Sequence, residues 1–401
     1  MTTNSKNILI FAKKQLLFII MGVVIGLITG AFDMVFGRIL LLIGDIRSDY
    51  PMFLIPFLGF SGLLIIFLYQ YYGGKANGGM GLVFRVGHGQ DKTIPKRLIP
   101  LIILTTWVTH LFGGSAGREG VAVQIGATIS NFFTKTFEED NRRLFLMTGM
   151  AAGFAGLFQT PLAATLFAIE VLFIGRIRLF ALVPVLVASY TASQTSHFLG
   201  LEHFEVPVDI SLTITPILFM KLALLGLLFG LTGNFFALGL KQLKKWLADK
   251  LPNAYLRIFL IGSILALTFL LLDMGRYSGL GTNLISASFS GGSILSYDWL
   301  LKLVLTLLTL AVGFQGGEVT PLFAIGSSLG VVLAPIFGLP ISLVAALGYA
   351  SVFGSATSTF LAPILIGAEV FGMENLPYFF IVMVFTMSFG KRNSIYGEQK
   401  Y

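Results

Sequence analysis

The chain has 401 residues, of which 55% are hydrophobic and only 11% charged, with a mean hydropathy of +0.86. A soluble domain carries about 25% charged residues, so this composition excludes an ordinary soluble domain; most of the chain must face lipid or lie within a bundle that does. The net charge of +8 does not point to nucleic acid, because the cations stand at segment ends, and the absence of Cys excludes disulfides and thiolate metal sites.

Residues 1–14 are polar, with Lys6, Lys13 and Lys14. The apolar run behind them continues to Gly44 without a small-residue cleavage site, and so reads as a retained first helix, not a signal peptide. Apolar segments then follow with short gaps: 15–46, 52–72, 98–112, 120–133, 144–158, 161–174 and 179–190. A full span needs about 20 residues, so several are too short to cross alone and predict partial spans buried in protein. The stretch 73–90 is too glycyl and polar for one continuous crossing helix.

The connection 191–211 contains Glu202, Glu205 and Asp209 with no Lys or Arg, and marks the half-way point. The second half opens with 212–240 and reaches the densest basic cluster, KQLKKWLADK at 241–250. The positive-inside rule makes that cluster a cytoplasmic loop, together with Lys13–Lys14 and Lys391–Arg392, and puts 191–211 outside. One half thus begins inside and ends outside, and the other runs the opposite way.

An internal repeat supports this inversion. An offset of 200 pairs Thr106 with Thr306, Thr109 with Thr309, Gly113 with Gly313, Gly117 with Gly317 and Gly126 with Gly326; an offset of 199 pairs Thr160 with Thr359 and Glu170 with Glu369. The expected fold is an all-α polytopic membrane protein, an inverted-repeat bundle of tilted and partial-span helices. It forms a single membrane domain, 1–401, with repeats at about 15–195 and 212–390, a short C-terminal helix at 391–401 and no soluble regulatory domain.

Three glycine-rich breaks each precede an apolar segment: GGMGL (78–82), GREGV (117–121) and GEVTP (317–321). A helix starting at such a break directs free N–H groups and a partial positive charge into the protein's middle. Several converging N-termini make an anion site without a full charge that would hold the ion too tightly to pass. Arg118 and Glu119 place an ionisable pair at this depth, which is costly and marks a functional site.

Taken together, the three breaks resemble the anion-site motifs of the CLC family of chloride channels and anion/proton exchangers. The family's GSGIP is matched loosely by 79–83, its G(K/R)EGP by 117–121 with Val121 for proline, and its GxFxP by 317–321 with Val319 for phenylalanine. The resemblance implies a homodimer with one anion pathway per subunit and Glu119 as the gating glutamate. It places Met80, Gly81, Gly117, Arg118, Gly120, Val319 and Thr320 along the ion path, Arg118 mainly orienting backbone, and Tyr396 at the pore tyrosine. Met80 stands at the usual serine, and Glu170-Val171 replaces the Glu-Glu pair that carries the inner proton acceptor. These two departures are similar to the fluoride-exporting bacterial subclass, in which Glu318 is the other carboxylate placed to carry a proton.

The resemblance therefore implies a fluoride/proton antiporter in the bacterial inner membrane, multi-pass, with both termini cytoplasmic, lipid around it and no cofactor or metal. The alternative within the family is a chloride/proton exchanger or chloride channel. An intramembrane enzyme is the reading from another class, and no nucleophile–base or metal constellation supports it. Glu170 and Glu369 are expected to hydrogen-bond at matching helix ends, and His110 to be a packed polar residue. The four His (His88, His110, His197, His203) show no metal-ligand spacing.

Overall fold

The computed structural model describes residues 3–134, 141–177, 179–202, 204–388 and 393–400, with side chains from residue 13 onward. The first half contains α1 (Thr3–Asp49), α2 (Pro51–Leu54), α3 (Leu58–Leu68), α4 (Gly79–Gly87), α5 (Leu98–Leu111), α6 (Glu119–Phe133), α7 (Arg142–Phe158), α8 (Pro161–Glu170) and α9 (Leu182–Phe198). The second contains α10 (Pro216–Lys250), α11 (Ala254–Leu271), α12 (Thr282–Ser290), α13 (Asp298–Val312), α14 (Val319–Phe337), α15 (Ile341–Thr357), α16 (Leu361–Phe371) and α17 (Leu376–Thr386). Among the described residues no strand forms, and six helical stretches are long and apolar enough to cross a membrane.

Local chemistry sets the helix ends. Pro161 and Pro216 occupy first-turn positions, where the missing N–H costs nothing. The Thr215 and Asn253 side chains accept the first free N–H groups of α10 and α11. Gly313 ends α13 in the left-handed region at φ +117°, and its repeat partner Gly113 follows α5 at φ +92°.

Packing separates an enclosed centre from an apolar exterior. Every residue of 144–158 in α7 and of 343–357 in α15 is buried. By contrast α1, α10 and α11 expose Leu27, Val35, Met220, Phe235, Leu256 and Leu267, the surface expected toward lipid. In the centre Gly126 of α6 faces Gly149 of α7, and Gly326 of α14 faces Gly348 of α15. A methyl group on any of the four would strike the opposite carbonyl oxygen. Small residues let these helix pairs approach without side chains between them.

The two halves also exchange contacts. Glu170 at the end of α8 accepts the N–H groups of Phe360, Leu361 (3.1 Å) and Ala362 (3.3 Å), which start α16. Glu369 of α16 accepts those of Leu162 (3.0 Å) and Ala163 (2.8 Å), which start α8. The expected helix-end role of both carboxylates is met, each capping the other half's helix.

Three expectations are corrected. Residues 191–198 are the last turns of α9, not a connection. Their polarity reflects helix packing: the Thr191 and Thr195 hydroxyls bond back to Val187 O and Thr191 O (2.7 and 2.6 Å), and the chain lies against Gly26 and Gly30 of α1. The basic cluster 241–250 is the end of α10, not a loop, since no Gly or Pro interrupts it before Pro252. Finally, 393–400 is not helical, and 391, 392 and 401 lie outside the described residues, as does His203. The backbone groups of this tail bond elsewhere: Ile395 N to Ala356 O (2.9 Å), Tyr396 N to Ser394 Oγ (3.1 Å) and Lys400 O from Ile174 N (2.8 Å).

Candidate anion site

The breaks before α6 and α14 meet at the centre. Gly117 N donates to Gly317 O (2.5 Å) and Gly317 N to Gly117 O (2.7 Å), an isolated antiparallel bridge between the two halves. Around it, Ser115 N donates to Thr309 Oγ1 (3.3 Å) and Gln315 N to Thr109 Oγ1 (3.2 Å), the same bond with the halves exchanged. A Cβ on Gly117 would stand 2.9 Å from Pro321 Cδ and 3.0 Å from Gly317 O. Glycine is therefore required for the two N-termini to face each other this closely.

Glu119, only 1% exposed, turns its carboxylate onto the start of α14. It accepts the Thr320 N–H at 3.1 Å, the Thr320 hydroxyl at 2.6–2.7 Å and, more weakly, the Arg118 N–H at 3.3 Å. Arg118 Nε lies 3.8 Å from the carboxylate, and its buried Nε and Nη1 have no hydrogen-bond partner among the described residues. A negatively charged group thus sits on free donors at a helix N-terminus, the geometry that stabilises an anion there.

Beside this cluster lies a cavity of about 430 Å³, lined by Met80, Gly81, Gly120, Glu318 and Tyr396 together with Phe84 and Gln124. Gly120 is the wall between the two: a methyl there would meet Glu318 Oε2 at 3.7 Å and Met80 Cε at 3.9 Å. The Tyr396 ring stacks on Phe84 with centroids 5.2 Å apart, and its buried hydroxyl has no partner among the described residues. An unpartnered buried hydroxyl is costly, and here it belongs to a residue that lines the cavity. The predicted residues therefore divide: Met80, Gly81, Gly120, Glu318 and Tyr396 line the cavity, while Gly117, Arg118, Glu119, Val319 and Thr320 form the buried junction beyond Gly120.

Sequence reasoning missed Gln124 and Lys244, both on the cavity wall. Gln124 follows Gly120 by one turn and donates to Gly120 O at 3.2 Å, while its Oε1 has no partner among the described residues. An amide four residues past GREG in an apolar helix was the available signal. Lys244 lies in the part of α10 read as a loop, which hid that its side chain reaches the cavity. His110 is packed, its ring nitrogens 2.8 and 2.9 Å from Thr106 O and Ala116 O.

Comparison with known proteins places this geometry. The chain matches the family described as voltage gated chloride channel over residues 61–391. A relative described as a chloride/fluoride channel protein, from Pseudomonas syringae pv. tomato, is 36% identical over 364 residues, spanning 88% of this chain and 80% of the relative. The crystal structure of a CLC-type fluoride/proton antiporter superposes with a TM-score of 0.95 at 55% identity, covering 96% of this chain and 98% of the other. A slow cyanobacterial Cl⁻/H⁺ antiporter shares the fold, with a TM-score of 0.81 at 20% identity over 93% of this chain and 94% of that one. The converging N-termini and the match over most of the length lead to one conclusion: the chain belongs to the voltage-gated chloride channel (CLC) family.

Proposed function

We propose that the protein is a fluoride/proton antiporter that exports fluoride across the bacterial inner membrane. The observation that carries this reading is the Glu119 carboxylate seated on the N–H and hydroxyl of Thr320. A carboxylate there uses the donors an anion needs; once protonated it binds them less strongly and yields them. Occupation by ionised Glu119 and by the anion are then mutually exclusive, which couples proton uptake to anion movement. The 55% identity to a fluoride/proton antiporter over nearly the whole chain favours fluoride over chloride.

The surroundings suit a small, strongly hydrated anion. Removing its water requires close donors, and those at hand are the N-terminal N–H groups of Val319 and Thr320 and the unpartnered Tyr396 hydroxyl. Met80 supplies no hydroxyl. Glu318, across Gly120 from the gate, carries the proton toward the cytoplasmic side. Fluoride leaving and a proton entering both follow an inside-negative potential, so the exchange runs outward for fluoride. The working unit is a homodimer in lipid, with one pathway per subunit, repeats at 15–195 and 212–390, and both termini cytoplasmic.

The test is reconstitution into proteoliposomes loaded with fluoride or chloride, recording anion efflux with an ion-selective electrode and pH at the same time. Fluoride efflux with proton uptake is expected. Faster chloride efflux would give the chloride exchanger instead, and efflux without proton movement would give a channel.

A further inference from the structure

Lys302 is fully buried in α13. Its Nζ donates to Ser115 Oγ (2.9 Å), Tyr277 O (3.1 Å) and Gly279 O (2.8 Å). The two carbonyls can only accept. Either hydroxyl can donate in the 2.8 Å Ser115–Thr306 bond; with the Thr306 hydrogen on Lys302 O (2.7 Å), Ser115 donates to Thr306 and its oxygen is left to accept from Lys302. Three oxygens around one nitrogen can take all three hydrogens of an ammonium, whereas a neutral amine fills the same cage only if Ser115 turns its hydroxyl hydrogen onto the nitrogen. Among the described residues no carboxylate forms an ion pair with it.

The position of this charge is specific. Ser115 belongs to the loop that leads into Gly117, Arg118 and Glu119. On the other side, a methyl on Gly281 would meet both Lys302 Cε (2.7 Å) and Ala324 Cβ (2.9 Å), and Ala324 is one helical turn past Thr320. Lys302 is therefore bonded to the loop that presents Glu119, and only Gly281 stands between it and the helix whose first turn holds the Glu119 carboxylate. At the repeat offset its counterpart is Ile102, buried and apolar. Isoleucine fills the space in one half, so filling space does not explain lysine in the other.

We propose that Lys302 is a positioning residue for the anion: its buried charge keeps the junction of α6 and α14 electropositive without touching the ion. The inference rests on reading that junction as an anion path. In a low-dielectric interior a charge acts beyond contact distance and salt screens it little. A charge set back from the path raises anion occupancy without giving the ion a partner it cannot leave. Arg47 adds to the same field from α1, its Nη1 bonded to His110 O at 3.1 Å.

Three variants test this in fluoride-loaded proteoliposomes: Lys302→Gln, Lys302→Arg and Ser115→Asp. Ser115→Asp keeps the lysine but sets a carboxylate against it, so it reports on the charge even if Lys302→Gln does not fold. Lys302→Gln and Ser115→Asp are expected to raise the half-saturating fluoride concentration by about tenfold, with the maximal rate retained, and Lys302→Arg to stay near wild type. Half-saturation unmoved in Ser115→Asp, or a loss confined to maximal rate in Lys302→Gln, overturns the inference while leaving the transport reading intact. Absence of fluoride flux from the wild type overturns both.

Discussion

Thr320 gives both its backbone N–H and its hydroxyl to the Glu119 carboxylate, across the junction of the two halves. The residues are 201 positions apart and stand at the starts of helices that correspond by the internal repeat. Near-symmetric backbone thus produces an asymmetric pair: Glu119 points across the junction, while Glu318 lines the cavity on the other side of Gly120. The one-residue difference in register between the two copies becomes a difference in surroundings, with Glu119 in the buried junction and Glu318 on the cavity wall.

Replacing Glu119 by Gln tests the gate. The amide keeps the size but offers N–H where Thr320 also donates, and it does not titrate. Proton uptake during fluoride efflux is expected to disappear in proteoliposomes, with any remaining fluoride movement uncoupled from pH. Wild-type proton flux in this variant would rule Glu119 out.

The Thr320 hydroxyl is the second test. A hydrogen bond to a charged group contributes about 1.5–3 kcal/mol, so Thr320→Val should slow fluoride turnover by about 10- to 150-fold. Thr320→Ser keeps the donor and should retain most of the rate. Equal losses in both variants would mean that side-chain shape, not the hydroxyl, matters.

Much of this arrangement was readable from residue types. Paired glycines at 117/317, in the breaks before two helices, and at 126/326 inside them are conformationally special, and paired glutamates at 170/369 are costly in apolar helices, so their spacing carried the two-fold plan. What failed depended on knowing which face a residue presents. Thr191 and Thr195 resemble loop residues until their hydroxyls are seen bonding to the preceding turn against the glycines of α1. Lys244 and Lys302 resemble an ordinary terminal charge and an isolated lysine until folding brings one to the cavity and the other behind Ser115.

The reciprocal caps predict a stability effect without direct involvement of the ion path. Glu369→Ala removes the acceptor for the Leu162 and Ala163 N–H groups at the start of α8. Leaving those donors without a partner should cost about 1–3 kcal/mol, seen as a lower midpoint of thermal unfolding in detergent. Glu170→Ala should behave alike at α16, and a stable Glu369→Ala protein would mean that water or another acceptor replaces the carboxylate.

Close helix contact gives a further prediction. In Gly348→Ala the new methyl would press on the Gly326 carbonyl and separate α14 from α15. Overpacking of this kind costs about 1–3 kcal/mol. Because α14 also carries Thr320, fluoride turnover should fall together with the unfolding midpoint. A variant that unfolds at the wild-type temperature would show that the helices can separate freely.

Tyr396 separates a stabilising role from a transport role. Its ring packs on Phe84 and Phe167, at centroid distances of 5.2 and 6.4 Å, while its buried hydroxyl has no partner among the described residues. Tyr396→Phe keeps both ring contacts and removes a polar atom whose hydrogen-bonding capacity is unmet, so stability should be unchanged or slightly higher. Fluoride, however, would lose a donor, and turnover should fall. The two readouts move apart only if the hydroxyl serves the ion. If unfolding temperature and turnover fall together, the tyrosine is held by a bond formed within the protein and its assignment to the anion path is wrong.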